Sequence, residues 1–157
     1  MDNINTPAIA DLSPERLLCL DIQMCFALYS ASLSMSKIYK PLLAELGLTY
    51  PQYLVMLALW AQNEQTVGEL GERLFLDSGT LTPLLKRLEK LDYIQRVRSK
   101  QDERRVIVTL TERGDALRQQ AVQVPVQIAA KTGCTLQELQ SLNEQLTRLR
   151  SRLIANL

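Results

Sequence analysis

Two short segments, Tyr93-Ile94-Gln95-Arg96-Val97-Arg98 and Arg105-Val106-Ile107-Val108-Thr109-Leu110, alternate apolar and polar side chains with a period of two. Such alternation is the mark of a half-buried strand, and no other segment of the chain shows it convincingly. The polar linker Ser99-Lys100-Gln101-Asp102-Glu103-Arg104 reads as the tip of a hairpin. Everything around this hairpin reads as helix. Leucine is 30 of the 157 residues, aromatics are only 5%, and β-branched residues are sparse outside the hairpin. The fold class is therefore mainly α.

Helix starts are marked locally. Ser13-Pro14 pairs a capping hydroxyl with a proline at the first helical position. Thr49-Tyr50-Pro51-Gln52, Thr66-Val67-Gly68-Glu69 and Thr135-Leu136-Gln137-Glu138 fit the capping box, in which hydroxyl and carboxylate or amide satisfy free backbone N–H groups. Gly47 and Gly133 stand where helices should stop, since glycine takes the left-handed conformation without steric cost. The spacing of Leu17, Leu20, Met24, Leu28, Ala31, Met35, Ile38 and Leu42 predicts one helix over Pro14–Glu45, bent near its end by Pro41. At 1.5 Å per residue it is ~45 Å long, too long to be covered by its own chain. It should pack against something outside that chain.

A second helix, Pro51–Ala61, is apolar nearly all round and should be buried. A short helix over Val67–Leu74 follows, then a turn through Leu76-Asp77-Ser78-Gly79. The next helix reaches Leu91, with a core stripe of Leu81, Leu84 or Leu85, Leu88 and Leu91. Pro83 removes a helical hydrogen bond if Asp77 or Ser78 is the cap, and costs little if Thr80 is. After the hairpin come a helix over Glu112–Ala130, kinked at Pro125, and a last helix over Leu136–Asn156. Leu139, Leu142, Leu146, Leu149 and Leu153 in that last helix form a seam of the coiled-coil kind. A short helix, a turn, a second helix and a hairpin make a winged helix-turn-helix, spanning residues 49–111. Residues 1–48 and 112–157 would form a helical dimerisation lobe.

Composition closes other routes. The length suits one domain, or one lobe of an oligomer. The longest apolar run, Tyr53–Ala61, has nine residues, against the ~20 that a membrane-spanning helix needs. No basic segment followed by an apolar one opens the chain, so a secretory signal is not expected. The expected compartment is the cytoplasm, where three cysteines are poor candidates for structural disulfides. There are no histidines, which excludes Ser–His–Asp and Cys–His catalysis and His-ligated zinc. No metal or cofactor is expected, and no enzymatic activity.

The net charge of +1 conceals an asymmetry. Lys86, Arg87, Lys90, Arg96, Arg98, Lys100, Arg104 and Arg105 outnumber Glu89, Asp92, Asp102 and Glu103, so this stretch carries +4 and the remainder −3. A basic run alone is more often a solvated face than a binding site. Here it falls on the second helix and the hairpin, where DNA phosphates would lie. Ser78, Gly79, Thr80 and Thr82, at the start of that helix, are small and polar enough to approach base edges or phosphate.

The segment Leu70–Glu89 and the wing Arg98-Ser99-Lys100-Gln101-Asp102-Glu103-Arg104-Arg105, with its Asp-x-Arg core, resemble the MarR family of winged-helix repressors. Leu20–Ser30, Tyr39-Lys40-Pro41-Leu42-Leu43 and Leu48–Tyr53 resemble, more narrowly, its organic-hydroperoxide-sensing subgroup. The resemblance implies a homodimer built on the terminal helices. It implies binding to a pseudo-palindromic double-stranded DNA operator, and release when a thiol is oxidised by organic hydroperoxides. In that pattern Cys25 matches the peroxide-sensing cysteine, and Tyr29, Tyr39 and Tyr50 match the tyrosines around it. Cys134 matches the resolving cysteine of the two-Cys branch, which forms an intersubunit disulfide. Ser78, Gly79, Thr80, Thr82, Lys86, Arg87, Arg96, Arg98, Asp102 and Arg104 fall in the DNA-contacting region, with Arg104 meeting a minor groove or phosphate.

The residues add their own argument. Tyr29 is four positions after Cys25, on the same helix face. A hydrogen bond from its hydroxyl would favour the thiolate, the form that attacks a peroxide. Tyr39 lies fourteen residues beyond Cys25, ~21 Å along a helix, so it could serve that thiol only from a partner chain. On a continuous helix Cys19 and Cys25 are separated by ~9 Å of rise and ~240°. Disulfide partners need Cα atoms within about 7 Å, so Cys19 reads as packing. Cys134, beside Gly133 at a helix boundary, has local freedom to move. Other readings stay open: a repressor released by a small aromatic ligand, a general-oxidant sensor controlling other antioxidant genes, a thiol peroxidase, or a dimerisation module that does not bind DNA. The last two leave the basic wing without a use.

Overall fold

A computed structural model describes residues 13–99, 102 and 105–157. The chain divides into two compact units, one ending at Lys37 and one running from Ile38 to Leu157.

The first unit holds α1 (Pro14–Leu17), a 3₁₀ turn over Leu20–Ile22, and the first part of α2 (Met24–Ala44), which continues into the second. The Ser13 hydroxyl accepts the Arg16 N–H at 3.3 Å, as the Ser-Pro start predicts. The single helix over Pro14–Glu45 is corrected: the chain breaks between Leu18 and Gln23. Gln23 is extended, with φ −79° and ψ 108°. Its side-chain amide donates to the Leu17 carbonyl at 2.6 Å, occupying an acceptor that a continuing helix would have used. A 3₁₀ turn repeats every three residues, so it preserves the apolar spacing and is invisible to periodicity. Leu18, Leu20, Ile22 and Met24 are all exposed.

The second unit continues with α3 (Tyr50–Ala61), β1 (Gln65–Thr66), α4 (Val67–Leu74), α5 (Ser78–Lys90), β2 (Ile94–Arg98), β3 (Val106–Leu110), α6 (Glu112–Ala121), α7 (Gln123–Thr132) and α8 (Leu136–Ile154). The three capping sequences all start helices. Glu69 accepts the Thr66 N–H at 2.7 Å, while its own N–H donates to the Thr66 hydroxyl at 3.2 Å. Thr135 and Glu138 repeat this at 2.7 and 3.2 Å. The Gln52 side-chain oxygen accepts the Thr49 N–H at 2.8 Å. Gly47 and Gly133 adopt φ of +67° and +68°, as helix stops require.

Antiparallel strands run in the order β1-β3-β2. Ile94 faces Leu110 and Arg98 faces Val106, which fixes the hairpin register. The third strand, β1, was not expected: Gln65 and Thr66 pair with Val108 and Ile107. Two residues carry no readable alternation, so only the tertiary pairing defines them.

Leu70, Leu81, Leu85, Leu88, Ile94 and Val108 are fully buried between α4, α5 and the sheet. Leu85, rather than Leu84, completes the α5 stripe. Val55, Met56 and Leu59 bury the opposite side of α3 from exposed Leu57. The Trp60 ring nitrogen donates to the Gly114 carbonyl at 2.9 Å, joining α3 to α6. The helix expected over Glu112–Ala130 is two helices meeting at Val122. Pro125 is thereby the third residue of α7, a position whose N–H has no helical partner in any case. No helix among the described residues is long and apolar enough to cross a membrane.

Candidate functional site

The turn joining α4 to α5 is tightly determined. Phe75 ends α4 with φ +57°, and the Leu76 N–H returns to the Gly71 carbonyl at 2.9 Å. A Cβ on Gly71 would lie 2.9 Å from the Leu76 carbonyl oxygen, so only glycine fits there. Asp77 then caps α5, accepting the Thr80 N–H at 2.8 Å and the Thr80 hydroxyl at 2.9 Å. These bonds hold its carboxyl below the usual range, the backbone N–H of Thr80 first. With Asp77 as cap, Pro83 is inside the helix and forgoes one backbone bond. The first turn therefore presents Ser78, Gly79 and Thr80, with Thr82 following. The Thr82 hydroxyl donates to the Ser78 carbonyl at 2.7 Å and keeps its acceptor lone pairs free.

Lys86, Arg87 and Arg98 are exposed and make no ion pair among the described residues. Arg96 differs. Its guanidinium forks onto Glu89 of α5, with Nε at 3.1 Å, and its backbone N–H donates to the same carboxylate at 3.2 Å. The Arg96 bonds hold the Glu89 carboxyl below its usual range. Arg96 thus ties the wing strand to α5 as well as adding charge. The Ser99 N–H donates to the Arg105 carbonyl at 2.8 Å and the Arg105 N–H to the Asp102 carbonyl at 2.9 Å, closing the hairpin. Arg104 lies outside the described residues.

The thiols and tyrosines divide between the two units. Cys25 is the second residue of α2 and Tyr29 is one turn on, both exposed. Cys19 is also exposed, and ends the segment before the 3₁₀ turn. Residues 19–25 are not one continuous helix, so helix geometry does not exclude Cys19 as a partner of Cys25. Cys134 directly follows Gly133 and precedes the cap of α8; its thiol lies 3.7 Å from the Thr132 carbonyl.

Tyr39, Tyr50 and Tyr53 gather in the second unit. The Tyr39 ring centroid is 4.7 Å from that of Tyr50 and 6.3 Å from that of Tyr53, which is 6.3 Å from Trp60. Burial pushes the Tyr39 phenol up to about 12, with Tyr50 and Tyr53 adding to it. Tyr53 is raised for the same reasons. Sequence reasoning missed Tyr53; its signal was the spacing of three from Tyr50, one helical turn. It also missed an exposed contact, Arg150 of α8 over the Phe75 ring at 4.6 Å.

Residues 37–120 match the family described as transcriptional regulator SarA/Rot. An organic hydroperoxide resistance transcriptional regulator of Bacillus subtilis is 49% identical over 125 residues, 78% of this chain and 85% of that protein. The chain belongs to the SarA/Rot family of MarR-like winged-helix transcriptional regulators. The family consists of regulators rather than enzymes. Another relative, the HTH-type transcriptional regulator TtmR of Methylorubrum extorquens, is 47% identical over 136 residues, 87% of this chain and 70% of its own length. Among solved structures, reduced AbfR bound to DNA is 39% identical with a TM-score of 0.69, covering 86% of this chain and 95% of that one. AbfR comes from Staphylococcus epidermidis. Its disulfide-formed state matches at 40% identity and a TM-score of 0.61, over 83% and 91% of the two chains.

Proposed function

We propose that this regulator is a homodimeric DNA-binding repressor that organic hydroperoxides release from its operator. Residues 49–111 are the DNA-binding domain, and residues 1–48 with 112–157 the dimerisation lobe. Ser78, Gly79, Thr80 and Thr82 meet base edges or phosphate, Lys86, Arg87 and Arg98 meet phosphates, and Arg104 meets a minor groove or phosphate. Arg96 and Asp102 hold the wing in shape. The two recognition helices read half-sites about one turn, ~10–10.5 base pairs, apart.

The observation that carries the sensing half is the tyrosine cluster. The rings of Tyr50 and Tyr53 both lie against Tyr39, and none of the three hydroxyls has a hydrogen-bond partner among the described residues. Three free donors on one protomer suit a sulfur anion brought by another. Cys25 sits exposed in the first turn of α2, where a peroxide can reach its sulfur. Tyr29 is one turn from it.

The chemistry balances without a cofactor. The Cys25 thiolate attacks the peroxide O–O bond, and the distal oxygen stays on sulfur as a sulfenic acid. The alkoxide leaves and takes a proton as the alcohol. The partner's Cys134 thiolate then attacks that sulfur, the S–S bond forms, and hydroxide leaves as water.

The test is operator binding and non-reducing electrophoresis before and after an organic hydroperoxide. Cys25→Ser should stay bound whatever the peroxide, and Cys134→Ser should form sulfenic acid but no covalent dimer. Release of Cys25→Ser by hydroperoxide refutes the assignment. A covalent dimer that disappears in Cys19→Ser would make Cys19 the resolving thiol.

One observation favours a second reading, release by a small aromatic ligand. A cavity of about 300 Å³ opens between Tyr53, Leu57, Trp60, Arg118, Val122 and Pro125. It is mainly apolar with one guanidinium, a fit for an aromatic acid. Release by phenolic acids and not by hydroperoxide would select it.

A further inference from the structure

Phe75 combines two features that rarely occur together. An L residue with a Cβ is strained at φ +57°, where glycine is the ordinary helix stop. Phe75 is also 58% exposed. What the ring does have is Arg150, whose guanidinium carbon stands 4.6 Å from its centroid. Arg150 makes no ion pair among the described residues, so this aromatic face is its partner. Phe75 lies three residues before Ser78, the first residue of α5.

At the other end of α8, Thr135 is the cap and Cys134 the residue before it. From Cys134 to Arg150 is sixteen residues, ~24 Å of helix. One rigid element thus carries a thiol at its start and, near its end, the cation that holds the turn leading into the recognition helix.

We propose that Phe75 and Arg150 are positioning residues through which α8 sets the placement of the recognition helix α5. This rests on the peroxide-release reading above. When Cys134 is drawn into a disulfide, α8 moves as a rod, Arg150 moves with it, and the ring pulls the start of α5 out of its DNA-competent position. A glycine at position 75 would relieve the backbone strain but give α8 nothing to grip.

The experiment measures affinity for a duplex that the wild-type protein selects from random sequence, before and after cumene hydroperoxide. The readout is the ratio of oxidised to reduced Kd. Phe75→Leu and Arg150→Gln should each lower that ratio about two- to five-fold, the range of an exposed cation–π contact. The double variant should match either single one, because the two act as a unit. Phe75→Tyr should restore the ratio. Phe75→Gly, which suits the left-handed turn and keeps the fold, should lose it. A residue that only supports the fold would weaken both states equally and leave the ratio unchanged. A wild-type ratio well above one with unchanged ratios in all variants overturns the coupling alone. A wild-type ratio of one overturns the peroxide reading, and the coupling with it.

Discussion

Replacing Gly114 with alanine sets two physical rules against each other. Gly114 is the third residue of α6, and alanine is the better helix former by about 1 kcal/mol. Propensity alone therefore predicts a more stable protein. Packing predicts the reverse. A Cβ at position 114 would lie 1.9 Å from the Tyr93 carbonyl oxygen and 2.8 Å from its carbon, against 3.4 Å for ordinary contact. Both obstacles are backbone, so α6 must withdraw by more than an ångström. That movement strains the Thr111 N–H bond to the same Tyr93 oxygen, now 3.1 Å, and the Trp60 bond to the Gly114 carbonyl, now 2.9 Å. Overpacking costs about 1–3 kcal/mol, and a weakened buried hydrogen bond about 1–3 more. Less the propensity gain, the net loss is about 1–5 kcal/mol, or a Tm lower by about 2–20 °C in a chain of this size. Thermal unfolding followed by circular dichroism and by emission of Trp60, the single tryptophan, measures it directly. The control is Gly68→Ala, where the nearest atom is a hydroxyl oxygen 3.9 Å away; it should be neutral or gain about 0.4–1 kcal/mol. A Tm for Gly114→Ala at or above wild type would refute the packing argument.

Ultraviolet titration should find a phenol still protonated above pH 11 in the native protein, and Tyr39→Phe should remove that last step, since burial raises Tyr39 to about 12. The unfolded chain releases this proton near pH 10, so the contribution is intact below 10 and is lost as pH rises toward about 12. Glu89→Gln should cost about 0.2–1 kcal/mol near neutral pH, as measured by urea unfolding of a half-exposed pair. Glu89 is depressed below its usual value of 4.5, so its contribution is present above that pH and lost as pH falls through the depressed value. The wild-type advantage should vanish in acid; a gap that persists there would deny the charge its role.

The helix starts were legible because each is written within four residues. A capping box needs only Thr and Glu three apart, and those at 66–69 and 135–138 began helices where expected. The hairpin was legible because alternation has one interpretation. What stayed hidden depends on partners far along the chain. The two-residue β1 exists only because β3 offers it an edge. The break before Gln23 leaves the apolar spacing intact, so only the Gln23 amide on the Leu17 carbonyl reveals it. The candidate site divides in the same way. Tyr50 and Tyr53 share a helix turn, but their meeting with Tyr39 comes from the packing of α2 on α3. The basic run was visible as charge, whereas the diversion of Arg96 onto Glu89 was not, because a charge count carries no direction.

Thr66 occupies three roles at one position. It ends β1 opposite Ile107, it caps α4, and its own N–H and hydroxyl are both taken by Glu69. No linker residue separates the strand from the helix. Inserting a single residue after Thr66 would either turn α4 by about 100° about its axis or slide β1 off its pairing with β3. The first outcome points Leu70 away from the core, and the second opens the edge of the sheet beside the wing. Length change is therefore barred at this joint, while the stretch around Gly133, where an added Cβ would meet nothing within 4 Å, has room to lengthen. Homologous chains should align without gaps from Gln65 through Leu74 and differ in length around Gly133.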